Sequence, residues 1–168
     1  LNNQLGVPKT LLELSRIHEF CIIEMGANHQ HEISLLCSIA SPDISIITNA
    51  NNAHLGEFGS EENLVKAKGE ILESLTKDGV ALINIASPHK ETWHEMSGTQ
   101  SLTFFGKGSG IYPSEITGSK SHINFNLNYS NASLNVNLSM IGLHQVDNAL
   151  AAAACAIELG IAPDLIKK

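Results

Sequence analysis

Glu24, His54 and Lys68 are three chemically unlike groups in one short stretch, whose segments read IIEMGANHQHEI, IITNANNAHLGEFGS and VKAKGEI. Glu24 closes the apolar run FCIIE at residues 20–24. A carboxylate at the carboxyl end of a strand can hold magnesium directly or through water, because this hard cation chooses oxygen ligands. The plainer reading is a surface charge at a strand end. His54 lies just past a second apolar run, in a loop rich in Asn and Gly. Imidazole is an uncommon magnesium ligand, so by position alone His54 also reads as a solvated loop residue. Lys68 lies on a helical pattern. Most helical lysines are solvated, but a desolvated amine loses its proton more readily. A neutral lysine amine can add carbon dioxide and become a carbamate, an oxygen ligand for a second magnesium. Lys66 should face elsewhere, since residues i and i+2 diverge on a helix.

Further along, Asn148 follows Gly142, Leu143 and His144 near a helix start. An amide can bond the adenine edge bidentately; the alternative is a helix-surface amide. Asp147 reads as a first-turn charge favouring the helix dipole. His29 and His31 flank Gln30 and look like a metal pair. They fall at a turn-to-helix junction, and no Cys or third His completes a zinc set. His18, His89, His94 and His122 read as surface residues. The phosphate-binding pattern GxxxxGK[ST] does not occur in the chain.

The elements that must position these groups follow from the apolar periodicity. Buried strands are expected at residues 20–24, 44–48 and 79–85, with helices at 32–40 and 61–75 between them. A short helix is expected within residues 5–14. The order βαβαβ predicts a parallel sheet covered by helices, with ligands gathering beyond the carboxyl ends of the strands. The second half changes character. A short strand at 102–105 is followed by alternating runs INFNLNY (123–129) and LNVNLSM (134–140) around a Ser130-Asn131 turn. This predicts an antiparallel hairpin with one wet face. The alanine-rich run from about 145 to 159 predicts a helix ended by Gly160, and Pro163 begins another.

Composition bounds the function. The 168 residues amount to one domain or most of one, and at 43% hydrophobic and 16% charged they can bury a core. A net charge of −7 argues against a nucleic-acid surface, which would need a basic patch. It does not exclude a nucleotide, whose phosphates are held locally by metals and backbone N–H groups. No apolar run approaches the ~20 residues that span a bilayer. Cys21, Cys37 and Cys155 form no CxxC pair and sit in strand and helix patterns. Buried reduced thiols and a cytoplasmic location are expected. The opening LNNQLGVP carries neither an initiator Met nor a signal peptide. An excised piece of a longer protein is the expectation.

EMGANHQHEI, ITNANNAHLGEFGS, KAKGEI and GLHQVDNALAAAA occur in that order, and together they resemble the central, ATP-binding domain of the Mur ligases. The opening LNNQLGVPKTLL and the GAN after Glu24 are similar to the branch of that family that adds D-alanyl-D-alanine. The resemblance covers nearly the whole chain, loosely at 107–140. It implies an α/β fold: a three-layer, mostly parallel sheet of the P-loop-like central domain, with a small antiparallel hairpin region. The P-loop strand and helix, an amino-terminal UDP-binding domain and a carboxyl-terminal domain would be missing from residues 1–168. The implied activity is an ATP-dependent amide ligase of peptidoglycan precursor synthesis. It would join D-alanyl-D-alanine to UDP-N-acetylmuramoyl-tripeptide through an acyl phosphate, with ATP and Mg2+ as cofactors. Glu24 and His54 would hold one magnesium, and Lys68, as the carbamate, would support a second. Asn148 would contact adenine, His144 would shape the nucleotide pocket, and Asn2 and Asn3 would lie near the UDP-sugar peptide. Two departures touch secondary contacts: Ala86 stands where the family has an acidic residue, and Gln145 where Asn often follows the histidine. By itself the chain is expected to be inactive, and exposed strand edges would let it self-associate. Two other readings stay open. One is a relative with another amide substrate, such as another Mur ligase or a folylpolyglutamate synthase. The other is a non-catalytic interaction module on the same fold.

Overall fold

The structure is a computed structural model that describes residues 2–50 and 55–166. The first half contains α1 (Gly6–Leu12), α2 (Glu32–Ala40), β1 (Ile44–Ile47), α3 (Leu55–Phe58), α4 (Glu61–Glu73), β2 (Val80–Asn84), α5 (Lys90–Met96) and β3 (Ser101–Phe105). The second half contains β4 (Ile111–Gly118), β5 (Ile123–Tyr129), β6 (Ala132–Leu138), α6 (His144–Glu158) and α7 (Pro163–Ile166). The strands form one sheet in chain order, β1 to β6. β1, β2 and β3 are parallel, β3 meets β4 in parallel at Phe105 and Ile111, and β4–β5–β6 is antiparallel.

Alternation along the strands divides the core into two layers. Leu82 and Phe105 face α6, where Val146, Leu150, Ala151 and Ala154 pack with Phe125 and Leu127 of the antiparallel strands. The small alanines let α6 lie close to the sheet. Ala81 and Ile83 face the other way, against Val65 and Leu72 of α4 and Trp93 of α5. Helices thus cover both faces, as the buried parallel strands require.

Two expectations change. Residues 20–24 form no strand, and Phe20 and Ile22 are 51% and 94% exposed. An apolar run becomes a strand only when a neighbour takes its N–H and C=O groups. Among the described residues the ladder partner of β1 is β2, and nothing pairs with 20–24. Cys21, expected to be buried in that strand, is therefore exposed, while Cys37 is buried. The βαβαβ unit is real but begins at β1. The expected antiparallel hairpin is present as β5 and β6, and β4 joins it to the parallel strands through the 106–110 turn, where Gly106 and Gly108 take φ of 109° and 102°.

Candidate functional site

Glu24 sits in a corner built by the amino-terminal residues. Asn2 Nδ2 donates to Glu24 Oε1 at 2.9 Å, and the Gly26 N–H donates to the Asn2 carbonyl at 2.8 Å. A Cβ at Gly26 would come within 2.9 Å of Asn2 Nδ2, so glycine is what lets Asn2 approach. Glu24 is exposed, and among the described residues the hydrogen bond to its carboxylate is the one from Asn2. Asn3 Oδ1 accepts from the Leu5 and Gly6 N–H groups at 3.1 and 3.0 Å, at the entry to α1. Asn2 and Asn3 line a groove of about 540 Å³ with Gln4, Gly26, Asn28 and Glu32. A smaller hollow of about 340 Å³ is lined by Asn2, Thr10 and Glu24.

The GAN turn then runs into α2 under the control of two carboxylates. Glu32 Oε2 accepts from the Asn28 and His29 N–H groups at 2.7 and 3.1 Å. These backbone donors hold the Glu32 carboxyl below its ordinary range. The second carboxylate is Glu70 of α4, which is only 7% exposed. It accepts from the His31 N–H at 2.6 Å and the Ser34 N–H at 3.1 Å. His31 has a left-handed backbone (φ 71°) and no side-chain cap of its own, so its N–H and that of Ser34 in the first turn of α2 are satisfied from another helix.

Lys68 lies on α4, two residues before Glu70, and is half-buried. Desolvation alone pushes its amine below the usual lysine range. No hydrogen bond or ion pair holds Lys68 Nζ among the described residues. Lys66, by contrast, is exposed and bonded to Glu62 at 2.7 Å. The helix carrying Lys68 is fixed from three further directions. Ser60 Oγ caps its start by accepting from Asn63 N–H at 3.2 Å. The buried Ser45 hydroxyl of β1 donates to the Ile71 carbonyl at 3.0 Å. The fully buried Trp93 indole donates to the Val65 carbonyl at 3.1 Å. Gly69 completes the contact with α5: a Cβ there would meet Met96 Sδ at 2.3 Å.

His144 and Asn148 stand at the exposed start of α6. Asn148 Nδ2 donates to Gln145 Oε1 at 3.1 Å. Gly142 has φ 101°, and a Cβ there would strike the His144 ring at 2.5 Å. His54 lies outside the described residues.

Hydrogen bonds therefore tie the end of the GAN turn and the start of α2 to the Lys68 helix. Sequence reasoning missed Glu70, although a carboxylate on the apolar stripe of Leu64 and Ala67 was a readable signal. It also missed Trp93 and read His89 as a surface residue. His89 packs edge-on to Trp93 and lies 3.2 Å from Glu61. Among the described residues no three His, Cys, Asp or Glu side chains gather as a metal set. Magnesium commonly takes only one or two carboxylates beside water and substrate phosphates; Glu24 is a donor of that kind, and Lys68 would become one only as its carbamate.

Fold and geometry define a three-layer α/β domain in which the turn after Glu24 is hydrogen-bonded to the helix that carries Lys68. The chain belongs to the Mur ligase family, matching its middle-domain model over residues 1–156. It is 39% identical over 159 residues to the UDP-N-acetylmuramoyl-tripeptide–D-alanyl-D-alanine ligase of Haemophilus influenzae, covering 95% of this chain and 35% of that one. The crystal structure of MurF from Acinetobacter baumannii superposes with a TM-score of 0.95 at 37% identity, covering 99% of this chain and 37% of that one. MurF of Thermotoga maritima, solved in complex with ADP, shares the fold with a TM-score of 0.84 at 24% identity, over 96% of this chain and 38% of that one. The chain spans about a third of the length of these relatives.

Proposed function

We propose that this chain is the central, ATP-handling domain of a ligase that joins D-alanyl-D-alanine to UDP-N-acetylmuramoyl-tripeptide in the cytoplasm. The observation that carries the reading is Lys68: a half-buried amine without a partner, on a helix braced by its neighbours. A surface lysine needs no such bracing. Glu24, His54 and carbamylated Lys68 would hold magnesium, which when bound neutralises charge on the transferred phosphoryl group. Asn2 orients the Glu24 carboxylate from one side. The groove beside Asn2 and Asn3 would receive the UDP-sugar peptide, and Asn148 and His144 would flank adenine. The relatives named for this reaction are full-length ligases, so the activity belongs to a full-length protein carrying this domain, and the 168 residues alone are inactive. Taken alone, the chain would also associate through its exposed apolar residues.

The test is ATP-dependent phosphate release by the full-length protein, supplied with both substrates, with Lys68→Ala as control. Release that needs both substrates and falls at least ~100-fold in the variant supports the reading. Release with a different acceptor moves the assignment to another amide ligase. No release with any acceptor, from folded protein, leaves the interaction module.

A further inference from the structure

We infer that Glu70 is a positioning residue that couples the Glu24 corner to Lys68. This rests on the reading of Glu24 and Lys68 as metal-side groups. Glu70 is an unusual choice for its place. A carboxylate 7% exposed is costly unless it is well bonded, and here two backbone N–H groups bond it, from His31 and Ser34. Those donors belong to the start of α2, and the chain from Glu24 to His31 is the only covalent link between the corner and that helix start. Lys68 shares the rigid helix of Glu70 but points to a different face, two residues apart, so Glu70 acts on the amine only by fixing how α4 sits against the start of α2. Moving the carboxylate therefore moves the corner relative to the amine.

Stability alone does not require this arrangement. A side-chain cap on α2 itself would satisfy the same donors locally, as Ser60 does for α4. The α2 start instead has a left-handed His31 without a cap, and so depends on α4. Glu32 provides the internal comparison. It bonds the Asn28 and His29 N–H groups within its own segment and does not reach α4. Glu32 shapes the turn; Glu70 places the turn against the lysine helix from the buried side, with Gln30 donating to Asn63 of α4 at the exposed side.

The experiment is a Mn2+ titration of the full-length protein with a non-hydrolysable ATP analogue, followed by electron paramagnetic resonance, with the thermal midpoint recorded for each protein. Wild type is compared with Glu24→Gln, Lys68→Ala, Glu70→Gln, Glu70→Asp and Glu32→Gln. Supporting residues behind metal ligands typically change metal affinity by about 10- to 100-fold. Glu70→Gln should weaken Mn2+ binding about 10-fold, and Glu70→Asp, which keeps the charge but falls short by one methylene, should weaken it less. Glu32→Gln should lower the thermal midpoint, and its effect on Mn2+ affinity should be smaller than that of Glu70→Gln, because Glu32 holds the turn without reaching α4. If Glu24→Gln and Lys68→Ala leave Mn2+ binding intact, the underlying reading of the site is wrong. If those two weaken binding and Glu70→Gln lowers only the midpoint, the reading stands and the inference about Glu70 falls. Failure of both Glu70 variants to fold assigns the residue to stability alone and also overturns the inference.

Discussion

A buried charge is retained against its own cost, and Lys68 shows that cost as a pH dependence. Desolvation lowers the native pKa of Lys68 below its unfolded value. The unfolded chain then binds the proton more tightly, so native stability rises with pH between the two values. Lys68→Met should be more stable than the natural chain near neutral pH, and the gain should shrink as pH rises toward the usual lysine range. Urea titrations at several pH values measure it. Glu32 behaves with the opposite consequence. Its native pKa is lowered by the Asn28 and His29 N–H groups, so its contribution is present above the ordinary carboxylate pKa and is lost as pH falls through the native one. Glu32→Gln should cost about 1 kcal/mol at pH 7, a usual net value for a hydrogen bond. The difference from the natural chain should close in acid, again read from urea midpoints. At this scale the sequence was legible where a residue type implies its own chemistry, as for Lys68. It was silent where a role depends on contact across the chain: the 39-residue separation of Glu70 from His31 leaves no local trace.

At the scale of elements, the α4–α5 contact decides how firmly Lys68 is held. Alanine at position 69 would gain helix propensity of about 1 kcal/mol over glycine. Its Cβ, however, would fall 2.3 Å from Met96 Sδ and 3.3 Å from Trp93 Cδ1. Met96 is flexible and can withdraw, but the fully buried Trp93 cannot. Gly69→Ala should therefore be net destabilising by about 1 kcal/mol, the low end of overpacking costs. Met96→Ala should relieve part of that in the double variant, giving a measurable coupling in a thermodynamic cycle. The helices α2, α4 and α6 and the strands β1 to β3 were readable because their apolar periods are strong. β4 was missed because its bulge between Ser114 and Thr117 breaks the alternation. α5 was missed because in KETWHEM the buried anchor is Trp93 alone. Residues 20–24 misled for the opposite reason: their period was right, but the described chain supplies no ladder partner.

For the whole molecule, apolar exposure is concentrated in the amino-terminal segment. Leu5, Leu12, Ile17 and Ile22 are each at least 80% exposed, and Phe20 is 51% exposed. A run of this kind is uncommon on a monomer surface. Light scattering of the 168-residue chain should show association that strengthens with concentration, and the double substitution Ile17→Ser with Ile22→Ser should return it toward a monomer. A dilution-resistant monomer would count against this. The two halves of the sheet also differ in how far apart in the chain their pairing partners lie. β5 turns into β6 through residues 130–131, and β4 into β5 through 119–122. β1 reaches β2 only after two helices have intervened. Short-range pairs close quickly and long-range ones slowly, so the meander should act as the early folding nucleus. β3 would then dock on it at Phe105 and Ile111, and the half of the sheet nearest Lys68 would order last.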